Sequence, residues 1–209
     1  MALAARLLAG FWRMRVPVIY YIADTHFGDT KAMELSGRPF SRVEDMDATI
    51  IANWQSRVTP ADHVYVVGDL AVNNKKPVEW YLRQLPGQLH LIEGNHDGKW
   101  EPDCDLDRWF LEVRQIANIK DRRRRVMLCH YPCLDYNYEL FGGYLAFGHI
   151  HQITRAPYWH VLRGMERALN VCVDVNKFMP VTLDEAIENN RVWRAEHFEE
   201  QQVASRDAG

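Results

Sequence analysis

Five apolar runs in this chain end abruptly in residues that bind metals or transfer protons. The most informative run ends in Gly94-Asn95-His96-Asp97, and the others end in Asp24-Thr25-His26, Gly68-Asp69, His130 and Gly148-His149-Ile150-His151. Each run is typical of a buried β-strand. Because open α/β sheets place their sites at the carboxyl ends of strands, five such ends predict one functional rim.

The spacing within two of these blocks favours metal binding. In an extended backbone, residues i and i+2 point to the same side, so Asp24 and His26 can reach one ion. The same holds for His149 and His151, while Ile150 points into packing. Taken alone, Asp24-Thr25-His26 would be interpreted as a loop cap followed by a surface histidine. The four other blocks favour the ligand interpretation.

Helical patterns separate several of these strands. Val43, Met46, Ile50, Ile51 and Trp54 recur at helical spacing, which predicts a helix with one buried face. Pro77 suits the first turn of a second helix, over residues 78–85. The alternation of strand and helix predicts parallel β-α-β units. Near the end of the chain, the stretch 182–185 is typical of a capping box that opens a last helix.

Other segments give weaker patterns. We expect one strand near residues 111–119, another at 159–162 and a third at 168–175. The basic run at 122–125 is interpreted as a solvated hairpin tip rather than as a patch that binds phosphate or RNA. Tyr131, Tyr136 and Tyr138 lie in a loop, where they either anchor the loop or border a substrate ring.

The order and spacing of the five blocks resemble the signature of the calcineurin-like metallophosphoesterases, over roughly residues 16 to 187. The second block departs from the longer Gly-Asp-x-x-Asp form, because Asp69 is followed by Leu70-Ala71-Val72-Asn73. This departure weakens the analogy to branches such as the protein phosphatases. The departure does not affect Asp69, which the resemblance still implies is a metal ligand.

The resemblance implies a site with two metal ions. One ion would be held by Asp24, His26 and His151, and the other by Asn95, His130 and His149, with Asp69 as the bridge. Because four of these seven ligands are histidines, we expect divalent transition ions (Mn, Fe, Ni or Zn) rather than Mg²⁺ or Ca²⁺.

The resemblance also implies catalytic roles for His96 and Asp97. His96 would protonate the leaving oxygen, and Asp97 would orient the His96 ring and raise its pKa. The alternative for Asp97 is a helix or loop cap.

Together these features predict an α/β fold, a four-layer α/β/β/α sandwich of two mixed β-sheets flanked by helices. The expected function is a dinuclear-metal-dependent phosphoric ester hydrolase. We expect a phosphodiesterase acting on a small nucleotide or similar diester, through a metal-bridging hydroxide with His96 as general acid. Phosphomonoesterase activity is the alternative, followed by a non-catalytic metal-binding interaction module on the same fold.

Composition sets the remaining expectations. With 209 residues, of which 47% are hydrophobic, the chain predicts one domain over 14–199, an N-terminal extension at 1–13 and a disordered tail at 200–209. The formal charge of −3 argues against a stable nucleic-acid complex. No run approaches the roughly 20 apolar residues of a membrane span. The four cysteines lack a C-x-x-C pair, which favours the cytoplasm. The expected partner is a small phosphate ester, for example a nucleotide, and the oligomeric state is left open.

Overall fold

The computed structural model describes residues 15–71 and 76–206, with side chains through residue 197. The predicted extension at 1–13 lies outside the described residues. Two four-stranded sheets form the centre of the described part of the chain.

The first sheet contains strands that pair in parallel. Its order is β1 (Ile19–Ile22), β2 (His63–Val66), β3 (Gln88–Ile92) and β4 (Phe110–Arg114). The connections carry α1 (Thr30–Leu35), α2 (Val43–Arg57), α3 (Val78–Leu82) and α4 (Leu106–Trp109). Tyr21 also pairs antiparallel with Val181, through bonds of 2.8 and 2.9 Å. The carboxyl ends of β1, β2 and β3 therefore lie at one edge.

The second sheet is mixed. Its order is β5 (Ile116–Asp121), β6 (Arg124–Cys129), β7 (Tyr144–Phe147) and β8 (Ala168–Asn170). The β5–β6 pair is an antiparallel hairpin, and the other two pairs are parallel. Helices α5 (Trp159–Leu162) and α6 (Leu183–Arg206) follow β7 and β8, and short 3₁₀ turns cover Asp97–Lys99, Glu101–Asp103 and Glu139–Phe141.

Alternation along the strands produces the layers, because successive side chains point to opposite faces. On β1, Tyr20 and Ile22 share one apolar cluster with Met46 and Trp54 of α2. Tyr21 belongs instead to the cluster between the sheets. That second cluster also contains Tyr65 and Ile92 from the first sheet and Val126, Leu128, Ala146 and Leu169 from the second.

The outer face of the second sheet is covered in the same way. Leu145 and Phe147 of β7 pack with Trp159 of α5 and Trp193 of α6. Helices therefore flank both sheets, and the predicted α/β/β/α sandwich is confirmed. The prediction of two mixed sheets holds only for the second, because all strand pairs of the first are parallel.

Two local strand predictions were wrong, and a third was too long, because the strand expected over 168–175 ends at Asn170. Residues 111–119 are not one strand: β4 ends at Arg114 and β5 starts at Ile116, so the chain passes between sheets there. Residues 159–162 form helix α5 rather than a strand. Its two buried residues, Trp159 and Leu162, are three apart, which is helical spacing that a four-residue window cannot distinguish from a buried strand.

The end of the chain begins as predicted. Glu185 Oε2 accepts hydrogen bonds from Thr182 N at 2.8 Å and from Thr182 Oγ1 at 2.9 Å, which closes a capping box before α6. The helix continues through Arg206, into the segment where we expected a disordered tail. None of the described helices has the length and apolar character to cross a bilayer. All four cysteines are free thiols.

Candidate metal centre

The five ligand-bearing blocks meet along one edge, where the two sheets come together. Backbone bonds join them directly. Asp24 N donates to Gly68 O at 3.0 Å, His26 N donates to Asp69 O at 3.0 Å, and Gly148 N donates to His130 O at 2.9 Å. The predicted ligands are therefore neighbours, although they come from strands in both sheets.

Asp69 lies at the centre of this edge. Its Oδ2 is 3.4 Å from His130 Nε2, 3.6 Å from His26 Nε2 and 3.9 Å from His96 Nε2. Its Oδ1 accepts a hydrogen bond of 2.8 Å from the backbone N–H of His96. Burial opposes ionisation, but the hydrogen bond and charge of His130 outweigh it and lower the pKa of Asp69 to about 2. One carboxylate oxygen thus faces three imidazoles, as a bridging ligand would.

His26 supplies the strongest sign that a cation belongs here. The residue is only 3% exposed, and both of its ring nitrogens are buried without a hydrogen-bond partner. Leaving buried polar atoms unsatisfied is costly, about 1–3 kcal/mol for each group. Ligand atoms of Asp24, His26 and His151 all lie within 4.8 Å of one another. A metal ion among them would satisfy one nitrogen of His26, so the residues fit the expected group.

A second set of ligand atoms converges on Asn95. Its Oδ1 lies 3.0 Å from His130 Nε2 and 2.8 Å from His149 Nδ1. The other ring nitrogen of His130, Nδ1, lies 2.9 Å from the carbonyl of Val67, which can only accept. That contact requires a hydrogen on Nδ1, which donates it to the Val67 carbonyl, and it turns Nε2 toward the site.

The electrostatics of His130 agree with a cation site. Burial alone would lower the pKa of His130, yet its hydrogen bond to Asp69 and the charges of Asp24 and Asp69 raise it to about 9. The carboxylates therefore draw positive charge to Nε2. A proton and a metal ion would compete for that position.

The backbone is strained at most of the proposed ligands. Nine described residues other than glycine have positive φ, and five of them are in the predicted ligand set: Asp24, His26, Asp69, His149 and His151. Such conformations cost of order 1–3 kcal/mol each and persist only where the surroundings hold them. The amide of His149 is held in this way, because it donates to both oxygens of Asp24, at 3.0 and 2.9 Å.

Two glycines are required for close approach. A Cβ at Gly68, where φ is +86°, would collide with the ring of His130. A Cβ at Gly94 would collide with the carboxylate of Asp69 and would lie 2.6 Å from its backbone nitrogen. The glycines in these two blocks thus let the ligand side chains pack against backbone.

Sequence reasoning missed the ion pair of Arg38 and Asp174. Arg38 binds both oxygens of Asp174, at 2.9 and 3.0 Å. It also donates to the backbone carbonyls of Asp24 at 2.7 Å and Thr25 at 3.0 Å. Arg38 lies in a loop, where no hydrophobic periodicity in the sequence marks it as part of the site. Asp174, however, ends the apolar run 168–173, the same pattern that identified the other blocks.

Asp174 also fixes the orientation of His151. Its Oδ2 lies 2.9 Å from His151 Nδ1, which leaves Nε2 of that ring for the site. Burial lowers the pKa of His151, but the bond to Asp174 and the charge of Asp24 more than offset this, so the net shift is upward.

The predicted role of Asp97 needs correction. Its Oδ2 accepts from the backbone amides of Asp69 and Gly94, both at 2.8 Å, and its Oδ1 accepts from Leu70 N at 2.9 Å and Trp100 Nε1 at 3.0 Å. Both oxygens are thus committed to the loops that carry Asp69 and Asn95, not to the His96 ring. The carboxylate acts as a loop cap, which was the alternative interpretation.

His96 lies at the rim and contacts a lysine. Its side chain is 34% exposed, its Nδ1 is 3.3 Å from Lys99 Nζ, and its ring packs edge-on against His26 with centroids 5.4 Å apart. Burial lowers the pKa of His96, and the charge of Lys99 adds to this while Asp69 opposes it. The expected rise in its pKa is therefore wrong in direction.

Comparison with known proteins finds one relative in an archaeon and one in a phage, and the chain belongs to the same family as the first. It is 33% identical to the uncharacterized protein MJ1445 of Methanocaldococcus jannaschii over 187 residues, covering 87% of this chain and 97% of that protein. It is 34% identical to the gene 66 protein of Mycobacterium phage L5 over 131 residues, covering 54% of this chain and 62% of the phage protein. No protein-family model matches.

The solved structure of AQ665, a protein of unknown function from Aquifex aeolicus, has the same fold. It superposes with a TM-score of 0.62 and 26% identity, covering 81% of this chain and 97% of that one. YfcE, a phosphoesterase from E. coli, aligns with a TM-score of 0.32 and 18% identity, covering 64% of this chain and 69% of that one.

We predict that Asp97→Asn destabilises the fold. All four partners of Asp97 are donors, so the amide NH₂ of asparagine would face two N–H groups and leave them unsatisfied. The free energy of unfolding should fall by about 2 kcal/mol or more, measured by urea denaturation. Asp103→Asn, an exposed acid in the neighbouring turn, is the matched control. An Asp97→Asn protein as stable as this control would contradict the loop-cap role.

We predict that Asp69→Ala removes more metal than Asp24→Ala. Asp69 Oδ2 lies 3.4 Å from His130 Nε2 and 3.6 Å from His26 Nε2, one imidazole of each ligand set, so its loss should lower occupancy at both positions. Asp24→Ala should lower it mainly at one. Elemental analysis of the reconstituted variants measures the difference. Equal losses of a single ion in the two variants would argue against Asp69 as the bridge.

Proposed function

We propose that the chain is a calcineurin-like metallophosphoesterase and that it hydrolyses small phosphoric diesters with two bound metal ions. The observation that carries the proposal is the arrangement around Asp69. One carboxylate oxygen lies between 3.4 and 3.9 Å from three imidazole nitrogens, and the buried nitrogens of one of those rings, His26, make no hydrogen bond.

The ligand set suits phosphate chemistry. Asp24, His26 and His151 would hold one ion, Asn95, His130 and His149 the other, and Asp69 both. When bound, such ions hold phosphoryl oxygens and activate water. Two carboxylates cannot cancel the charge of two divalent ions, and imidazole and amide ligands add no negative charge. The site therefore keeps the positive charge that attracts a phosphate.

His96 is the residue proposed to donate a proton. The Lys99 ammonium can only donate, so its contact with Nδ1 favours the tautomer of the neutral ring that carries hydrogen on Nε2. Nε2 is the nitrogen that lies 3.9 Å from Asp69 Oδ2, next to the ligand cluster. To act as a general acid the ring must first take up a proton from solvent at Nδ1, in place of the Lys99 contact. The imidazolium then gives its Nε2 hydrogen to the oxygen of the departing group and returns to the neutral ring.

The remaining residues position these groups. Arg38 and Asp174 hold the Asp24 backbone and the His151 ring, and Asp97 holds the loops of Asp69 and Gly94. Such prior placement lowers the reorganisation needed during reaction.

We predict that activity depends on transition metals. Chelation should abolish hydrolysis, and Mn²⁺, Fe²⁺, Ni²⁺ or Zn²⁺ should restore it better than Mg²⁺ or Ca²⁺. The substrates to be assayed are bis(4-nitrophenyl) phosphate, 4-nitrophenyl phosphate, 2′,3′- and 3′,5′-cyclic nucleotides and single-stranded DNA. We expect small diesters to be the best substrates. Preference for the monoester would favour the phosphatase alternative, and full activity without metal would contradict the proposal.

We predict that His96→Asn slows hydrolysis without removing metal. The rate should fall about 10²- to 10⁴-fold for an alkyl leaving group, which needs a proton. It should fall much less for 4-nitrophenolate, which leaves without one. The exposed His160→Asn is the matched control and should resemble wild type. An equal loss of rate on both esters, together with the loss of one metal ion, would show that His96 is a metal ligand instead.

A further inference from the structure

An apolar cleft of about 350 Å³ begins at the metal centre. It is lined by Tyr131, Pro132, Leu134, His149, Tyr158 and Leu162. Leu162 is buried, whereas Tyr131 is 47%, Leu134 59% and Tyr158 40% exposed. Exposed apolar side chains grouped at a polar site indicate a surface that a ligand covers.

The cleft is continuous with the proposed ligands. His149 forms part of its lining, and the Tyr131 ring packs edge-on against His149 with centroids 4.6 Å apart. Tyr131 packs in the same way against His130, at 5.2 Å. A group attached through an ester oxygen to a phosphate at the metal centre would therefore reach this cleft.

The other side of the site has a different chemistry. A cleft of about 400 Å³ there contains His96, three lysines and three acids: Lys31, Lys76, Lys99, Asp29, Glu44 and Asp47. The two clefts share no lining residue. Because His96 is the proposed proton donor, the departing group belongs on this charged side. Two clefts are then left for a group that does not depart: the apolar one, and a third of about 410 Å³ beside Asn95 and His130. The third cleft is lined by Glu93 and Glu101, whose carboxylates disfavour an apolar group, so the apolar cleft suits such a group better.

We propose that the cleft beside His149 binds the organic group that stays on phosphorus, and that this group carries a planar ring. The inference rests on the proposed function. Water adds its oxygen to phosphorus, the bond to the departing oxygen breaks, and that oxygen takes a proton. The planar group remains on the monoester product. A monoester substrate has no such retained group, so the cleft favours a diester.

The lining supports a ring rather than a sugar or a second phosphate. It contains no lysine, arginine, aspartate or glutamate, and its largest faces are those of Tyr131 and Tyr158. Tyrosine faces stack on nucleobases and on simple aryl rings alike. The ring could therefore come from either source, and the test separates them.

The test varies only the retained group. Metal-reconstituted protein is given diesters that all release 4-nitrophenolate and retain an ethyl, cyclohexyl, phenyl or thymidin-5′-yl group. We expect kcat/KM for the phenyl ester to exceed that for the ethyl ester about 10-fold, mainly through KM. Equal values for the two, or a cyclohexyl ester as good as the phenyl ester, would overturn the inference. A thymidine ester better than the phenyl ester identifies a nucleobase as the ring, and the reverse order identifies a simple aryl group.

Variants locate the effect in the cleft. Tyr131→Ala should reduce the phenyl-over-ethyl preference about 10-fold, whereas Tyr131→Phe, which keeps the ring, should retain it. Phe141→Ala is the control, because Phe141 is 88% exposed and does not line the cleft. If Tyr131→Ala slowed both esters equally, Tyr131 would act through the neighbouring histidines, and the inference would be wrong.

A binding measurement separates this inference from the proposed function. If the metal-loaded protein turned over none of the esters, the proposed function would fail. Calorimetry with phenylphosphonate and methylphosphonate would still test the cleft. We expect wild type to bind phenylphosphonate about 10-fold more tightly, and Tyr131→Ala to lose that difference. Equal affinity of wild type for both compounds would overturn the inference.

Discussion

The site depends on a negative charge held in the protein interior, that of the Asp69 carboxylate. Burying a carboxylate is costly unless it is hydrogen-bonded and paired. Here the His96 amide donates to one oxygen, and three imidazoles surround the other. Burial opposes protonation of His130, but this carboxylate and that of Asp24 raise its pKa to about 9, which shows that the pocket favours positive charge. Attraction of cations is thus a direct consequence of how the charge of Asp69 is accommodated.

Buried ionic groups hold the loops around that charge. Arg38 joins the backbone of Asp24, which follows the first sheet's β1, to Asp174, whose carboxylate fixes His151. Asp97 joins the loops after β2 and β3 through four hydrogen bonds. These contacts oppose the cost of positive φ at the ligands. Removing such a clamp should therefore affect both folding and metal binding.

The sequence predicted the parts that depend on strand periodicity. Asp24, Asp69 and His130 were identifiable because apolar strands end at them, and the two-sheet sandwich follows from the same pattern. The roles of Arg38 and Asp97 could not be identified from the sequence, since a buried contact between distant loops leaves no local periodicity. Residues 111–119 failed for a different reason. The alternation set by Leu111 and Val113 breaks at Arg114-Gln115, where two polar residues are adjacent. The chain leaves one sheet for the other at this break, and the prediction of one continuous strand passed over it.

The two clefts also differ in how far the sequence could reveal them. Tyr131 follows His130 directly, so the strand end that delivers a ligand also delivers an aromatic wall. Leu162 comes from α5, a segment misread from sequence, and Tyr158 directly precedes that helix; both complete the cleft only in the folded chain. Because Tyr131 packs against both His130 and His149, a ring bound beside Tyr131 would influence the positions of both proposed metal ligands. Recognition of the retained group and placement of its phosphorus would then be coupled through shared side chains.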